Sequence, residues 1–268
     1  NSHIIKINGQ LHIYQDGIYV EGRDKIESEM IRHIPNLNRA KRTEVLEYLN
    51  ILICDNAEAS PANYIAFKNG VYDIVKDELM PFSEQFVITN KINFNYNPAA
   101  KSELVETTLD KLACNDQTIR HLLEEAIGYC FYRRNELRKS FFLLGEKRNG
   151  KSTFWNSVSR VLGLYSGNIS ADTLTFGCRR NVKPEMAEVK GKRLLIAAEM
   201  QEGARLNDSI VKQLCSTDDI FAEKKYKDPF SFSPSHSLVL YTNHLPKVSA
   251  SDDGTWRRLI VIPFNAKI

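Results

Sequence analysis

The 268 residues carry 36 Lys and Arg against 33 Asp and Glu, a net charge of +3, with 43% hydrophobic residues. That balance describes a globular chain and excludes a disordered or collagen-like one. No apolar run approaches the ~20 residues of a membrane-spanning helix, and the opening NSHIIKING lacks the basic-then-apolar order of a signal peptide. The five cysteines, Cys54, Cys114, Cys130, Cys178 and Cys215, show no C-x-x-C spacing. They argue against a zinc site or a disulfide framework and suit a reducing, cytoplasmic setting. The charge is uneven: from Glu136 onward there are 21 basic against 14 acidic residues, as expected for a half that meets a polyanion such as nucleic acid.

Along the chain, residues 9–20 hold two short β-like runs around Asp16-Gly17, a hairpin signal. Ile26, Met30 and Ile34, then Val45, Leu46, Leu49, Leu52 and Ile53, recur at helical spacing with a turn at Pro35–Asn38 between them. Tyr64–Phe67 and Val71–Val75 flank Asn69-Gly70 and form a second hairpin candidate. Ser102–Leu112 and Thr118–Cys130 read as amphipathic helices, the second capped at Asn115-Asp116. His3, His12, His33 and His121 stand isolated, and nothing in residues 1–135 gathers catalytic groups.

The chemistry begins at Phe141–Thr153, FFLLGEKRNGKST. Gly145-Glu146-Lys147-Arg148-Asn149-Gly150-Lys151-Ser152 fits G-x-x-x-x-G-K-[ST], the phosphate-binding loop. Its glycines allow the backbone to aim several N–H groups at one phosphate chain. Lys151 is placed to reach the β- and γ-phosphates, Ser152 to ligate Mg²⁺, and the following helix, which opens with Ser152 and Thr153, to offer its positive end. An apolar strand at Ser140–Leu144 and a helix marked by Phe154, Val158, Val161 and Leu162 and stopped by Gly163 supply the required context. Further on, strands at Arg193–Ala198, Leu238–Tyr241 and Leu259–Ile262 alternate with a helix holding Leu206, Ile210, Val211 and Leu214. This predicts an α/β layered fold.

In such sheets the carboxyl ends of strands face the ligand crevice. Glu199 and Asn243 occupy that position, the first as an acid for Mg²⁺ and the attacking water, the second to orient water or sense the γ-phosphate. Arg257 and Arg258 offer positive charge for a transition state. ATP and Mg²⁺ are therefore the expected cofactors.

In this order the motifs resemble those of superfamily three helicases, in the phage and poxvirus primase–helicase branch. The resemblance rests on IAFKNGVYDI at 65–74, LLEEAIGYC at 122–130, GEKRNGKS as Walker A and LLIAAE as Walker B. It continues through the B-prime region IVKQLCSTDDIFAEKKYKDPFSFSP, motif C at LVLYTNHLP and the segment DDGTWRRLIVIPF. It implies an AAA+ P-loop ATPase core at 136–268, preceded by a smaller mixed α+β domain at 1–100 and a helical linker or collar at 101–135. It further implies a ring, hexameric in most such proteins, that hydrolyses ATP between subunits and draws single-stranded DNA through its channel. Arg257 or Arg258 then acts on the neighbour's ATP, and Lys224, Lys225 and Lys227, with Tyr226 among them, form a basic hairpin tip on the DNA. The single acid Glu199, between Ala198 and Met200, departs from the paired acids of many relatives, and Glu223 stands where they place a basic residue. Relatives continue into a further C-terminal domain that this sequence lacks, so a fragment or shortened form is expected. No primase triad or zinc site is visible, and a separate primase is an expected partner. An ATP-switched initiator or loader shares every motif, and a small-molecule kinase shares only the loop.

Overall fold

The computed structural model describes residues 3–178, 183–223, 229–249 and 252–267. Two compact units divide the chain, Asn1–Tyr96 and Asn97–Ile268.

In the first unit, β1 (Ile4–Ile7), β2 (Gln10–Gln15) and β3 (Ile18–Glu21) form an antiparallel meander. Asp16 and Gly17 take φ of 50° and 86°, the two left-handed residues of a type I′ turn. Asn8 and Gly9 repeat the device at 50° and 77°, and so add a strand, β1, in front of the expected hairpin. Helices α1 (Arg23–His33) and α2 (Arg39–Leu52) follow. The Asn38 side chain caps α2 by accepting from the Lys41 N–H at 3.0 Å. Ile26 and Leu46 bury their apolar sides against Leu11 and Ile13 of β2.

The second small sheet of this unit joins β4 (Tyr64–Phe67), β5 (Gly70–Asp73) and β6 (Glu78–Met80). Its turn lies one residue earlier than the Asn69-Gly70 signal suggests, because Phe67 pairs with Gly70 and leaves Lys68 and Asn69 at the bend. Gly70 serves a different need. A Cβ there would stand 2.4 Å from the Met80 carbonyl oxygen, so the approach of β6 requires a glycine.

The second unit opens with α3 (Glu103–Leu112) and α4 (Gln117–Tyr129). Ser102 caps α3, and Asp116 caps α4 by accepting from the N–H groups of Thr118 and Ile119. Arg120 joins the two helices through Glu106 and Asp110 while also holding Glu124 on its own helix. The chain then alternates: β7 (Ser140–Leu144), α5 (Lys151–Leu162), β8 (Ser166–Ser170), α6 (Lys183–Val189), β9 (Leu194–Ala198) and α7 (Asp208–Leu214). A short antiparallel hairpin, β10 (Ile220–Ala222) with β11 (Phe230–Phe232), interrupts the pattern. It resumes with β12 (Ser237–Thr242), α8 (Asp253–Trp256) and β13 (Leu259–Pro263).

Five of these strands form one parallel sheet in the order β13-β7-β12-β9-β8. Phe141, Phe142, Leu143, Leu195, Ala197, Leu238, Val239 and Leu240 are all buried, so its central strands are covered on both faces. The order has one consequence for chemistry. From β7 the chain crosses to the far edge at β8, returns through β9, and inserts β12 between β9 and β7. The carboxyl ends of β7, β12 and β9 therefore lie side by side.

Candidate functional site

The segment Gly145–Gly150 leaves β7 and enters α5 through Gly150 at φ 84°, with Arg148 also left-handed at 62°. No side chain caps α5. The first helical bond is Phe154 N–H to the Gly150 carbonyl, so the N–H groups of Lys151, Ser152 and Thr153 head the helix as uncapped donors. Ser152 and Thr153 are exposed. Lys151 is buried, and its ammonium donates to the carbonyls of Gly145 (2.6 Å) and Glu146 (2.7 Å) and to Asn149 Oδ1 (2.9 Å). Burial lowers its pKa, and the negative field of Glu199 opposes that shift.

Glu199 is the residue after β9, exposed, with its N–H donating to the Tyr241 carbonyl of β12 at 3.0 Å. It holds φ 54°, a left-handed conformation that costs a non-glycine residue on the order of 1 kcal/mol and recurs at functional sites. Asn243 follows β12 immediately. It lines a cleft of about 960 Å³ together with the loop residues Gly145–Asn149, with Glu202 and Gly203, with His244, Leu245 and Lys247, and with the exit of β13, Phe264–Lys267. The structure thus brings the glycine loop, Lys151, Glu199 and Asn243 to the ends of three adjacent strands. Uncapped helix donors and several cations around an open cleft suit a polyanion. Among the described residues no group of three or more His, Cys, Asp or Glu could hold a metal alone.

Arg257 and Arg258 lie elsewhere. They precede β13, and its parallel register sets Leu259 opposite Ser140, so both arginines stand at the amino ends of the strands. Five residues of strand separate them from the glycine loop, roughly 16 Å. Around them is a separate pocket of about 290 Å³ lined by Leu137, Arg138, Lys139, Arg257 and Arg258. The two arginines differ. Arg258 is buried at 8% exposure and its guanidinium donates to the Gly254 carbonyl at 2.5 Å. Arg257 is exposed, and it is held by its backbone, the N–H donating to the Asp253 carbonyl at 3.0 Å and the carbonyl accepting from Lys139 Nζ at 2.6 Å.

Arg138 and Lys139 were not singled out from the sequence, although a signal existed: RK precedes the apolar strand SFFLL as RR precedes LIVIP. Parallel pairing of those strands makes the doublets neighbours. Glu202, His244 and Lys247 also went unremarked, being isolated polar residues whose approach to the loop depends on strand order. Lys224, Lys225 and Lys227, expected at a hairpin tip, lie outside the described residues. The strands on either side of them, β10 and β11, do pair as a hairpin.

Comparison with known proteins then places the chain. Residues 6–126 match the family described as D5 N terminal like, and residues 143–258 match a family of unknown function, DUF5906. "Putative helicase L207/L206" of Acanthamoeba polyphaga mimivirus is 29% identical over 211 residues, covering 76% of this chain. "Putative helicase 022R" of Frog virus 3 is 28% identical over 158 residues, or 57% of the chain. "Putative primase C962R" of African swine fever virus is 31% identical over 120 residues, or 43%. The chain is a homologue of these viral proteins over the matched spans. It spans 22%, 16% and 12% of their respective lengths. Among solved structures, the apo A form of the NrS-1 C-terminal region superposes with a TM-score of 0.62 at 12% identity, covering 100% of this chain and 59% of that one. That likeness is one of fold.

Proposed function

We propose that residues 136–268 form the ATP-hydrolysing core, of AAA+ type, of a DNA helicase or translocase that works as a ring in viral or phage replication. The observation that carries this reading is the meeting of Lys151, Glu199 and Asn243 at the carboxyl ends of β7, β9 and β12, beside a helix start without a side-chain cap. In this reading the loop amides and Lys151 hold the triphosphate. Ser152 would hold Mg²⁺, which would neutralise charge on the phosphates. Glu199 orders the attacking water and Asn243 contacts the γ-phosphate.

The opposite placement of Arg257 supports a shared site. An arginine ~16 Å from its own glycine loop can stabilise a transition state only on a neighbouring copy, which a head-to-tail ring provides. Of the two arginines, Arg257 is the finger in this reading. Arg258 is occupied inside its own subunit. Lys224, Lys225 and Lys227 grip the backbone of single-stranded DNA in the channel.

The test is ATP turnover with and without single-stranded DNA, followed by strand displacement on a forked duplex. Turnover stimulated by DNA and abolished by Lys151→Ala is expected, together with displacement. Full turnover in Lys151→Ala would sink the assignment. DNA-stimulated turnover without displacement would mark an ATP-switched initiator or loader instead.

A further inference from the structure

We propose that Asn149 is a positioning residue of the phosphate loop, its carboxamide fastening Lys151 to the exit of strand β13. The inference rests on reading the loop as a nucleotide site. Asn149 is 4% exposed, so both ends of its amide need partners inside the protein. Nδ2 donates to the Phe264 carbonyl at 2.6 Å, and Oδ1 accepts from Lys151 Nζ at 2.9 Å. The carbonyl demands a donor and the ammonium an acceptor, so only one orientation of the amide satisfies both.

Three features show that the loop is built around this contact. Asn149 stands between Gly150 at φ 84° and Arg148 at φ 62°, the latter a left-handed non-glycine conformation that surrounding bonds must hold in place. On the other side, the Phe264 N–H donates to the Leu144 carbonyl at 2.7 Å, so β13 is laced to the loop both before and after Gly145. Gly145 itself leaves the room. A Cβ there would sit 2.1 Å from the Phe264 carbonyl oxygen and 2.3 Å from Asn149 Nδ2. The first glycine of the loop is thus required by the clamp as well as by the phosphate.

The chemistry of the amide matters as much as its position. The three donors of Lys151 are saturated by Gly145 O, Glu146 O and Asn149 Oδ1. Phosphate oxygens must replace these neutral acceptors when a nucleotide enters. A neutral amide yields the lysine readily. A carboxylate in its place would keep the ammonium as an ion pair and repel the phosphates.

The test compares Asn149→Ala and Asn149→Asp by titrating each, and the wild type, with N-methylanthraniloyl-ATP and Mg²⁺ between pH 8 and pH 5. Losing the clamp is expected to weaken binding about tenfold in the alanine variant. The aspartate variant should lose on the order of a hundredfold at pH 8. Relative to alanine, that deficit should shrink as pH falls, because a carboxylate beside bound phosphates takes up a proton. A merely structural asparagine would give two equally weakened variants with parallel pH profiles. That result, or affinity equal to wild type in either variant, overturns the inference while leaving the nucleotide site standing. Failure of the wild type to bind the probe would overturn both. Asn149→Ser replaces the alanine variant if that one melts below the assay temperature.

Discussion

Arg257→Ala and Arg258→Ala should separate a catalytic arginine from a structural one, although the two are adjacent in sequence. Arg258 is 8% exposed, and its guanidinium donates to the Gly254 carbonyl in the turn of α8. Truncation removes a charged hydrogen bond and most of a buried side chain, a cost of about 3 kcal/mol. In a unit of this size that lowers the melting temperature by roughly 6–12 °C. Arg257 is exposed, and among the described residues its guanidinium makes no hydrogen bond or ion pair, so its truncation should change stability by less than about 0.5 kcal/mol. The same change should cost on the order of a thousandfold in ATP turnover if Arg257 is the finger.

Mixing supplies the deciding assay. Arg257→Ala keeps an intact loop, Lys151→Ala keeps an intact arginine, and each is inactive alone. In a randomly mixed head-to-tail ring at equal amounts, about one quarter of the interfaces pair the good loop with the good arginine. Turnover should therefore reappear on mixing. An inactive mixture whose subunits demonstrably exchange would refute the shared site. A thermally silent Arg258→Ala would refute the division of labour between the two arginines.

Lys225→Ala should leave basal ATP turnover intact while weakening single-stranded DNA binding. The log–log salt slope should drop by about 0.7 for one lost phosphate contact, and an unchanged slope in a fluorescence anisotropy titration would remove Lys225 from the interface. His236 predicts an acid-sensitive fold. Burial pushes its pKa down to about 4 from the ordinary 6.5, so between those values the unfolded chain takes up a proton that the folded one refuses. This contribution, about 3 kcal/mol at full size, is present above pH 6.5 and is lost as pH falls toward 4. Melting curves of wild type against His236→Leu should differ in slope over that window, and parallel curves would contradict the neutral buried imidazole.

The strands and helices of the second unit were readable where the residues themselves demand them. SFFLL and LLIAA are continuous apolar runs that only a sheet covered on both faces can bury, and Asp116 and Gly163 mark helix ends by side chain and by backbone freedom. Strand β8, SGNIS, was not readable, because its exposed and half-buried residues break the apolar pattern and its place comes from pairing with β9. The clamp at Asn149 was equally hidden. Nothing in GEKRNGKS reveals that the amide will meet a carbonyl 115 residues further on. Motif residues are legible because chemistry dictates their type; their supports are set by strand order, which the sequence encodes only collectively.

Strand order also explains why one subunit would not complete its own site. In a parallel sheet every carboxyl end faces one way, so residues that follow strands (the glycine loop, Glu199, Asn243) gather at one edge. Residues that precede strands, such as Arg138, Lys139 and Arg257, gather at the other. No side-chain rotation spans the roughly 16 Å between those edges. Strand β13 nevertheless joins them covalently, with Arg257 just before it and, after it, the Phe264 carbonyl held by Asn149. If the ring assembles as proposed, a change at the loop reaches the arginine through five residues of strand hydrogen-bonded to β7 rather than a flexible connection. Loosening that strand at Asn149 should then lower turnover by more than the loss of nucleotide affinity explains, measured as kcat at saturating ATP. An unchanged kcat would limit Asn149 to placing Lys151.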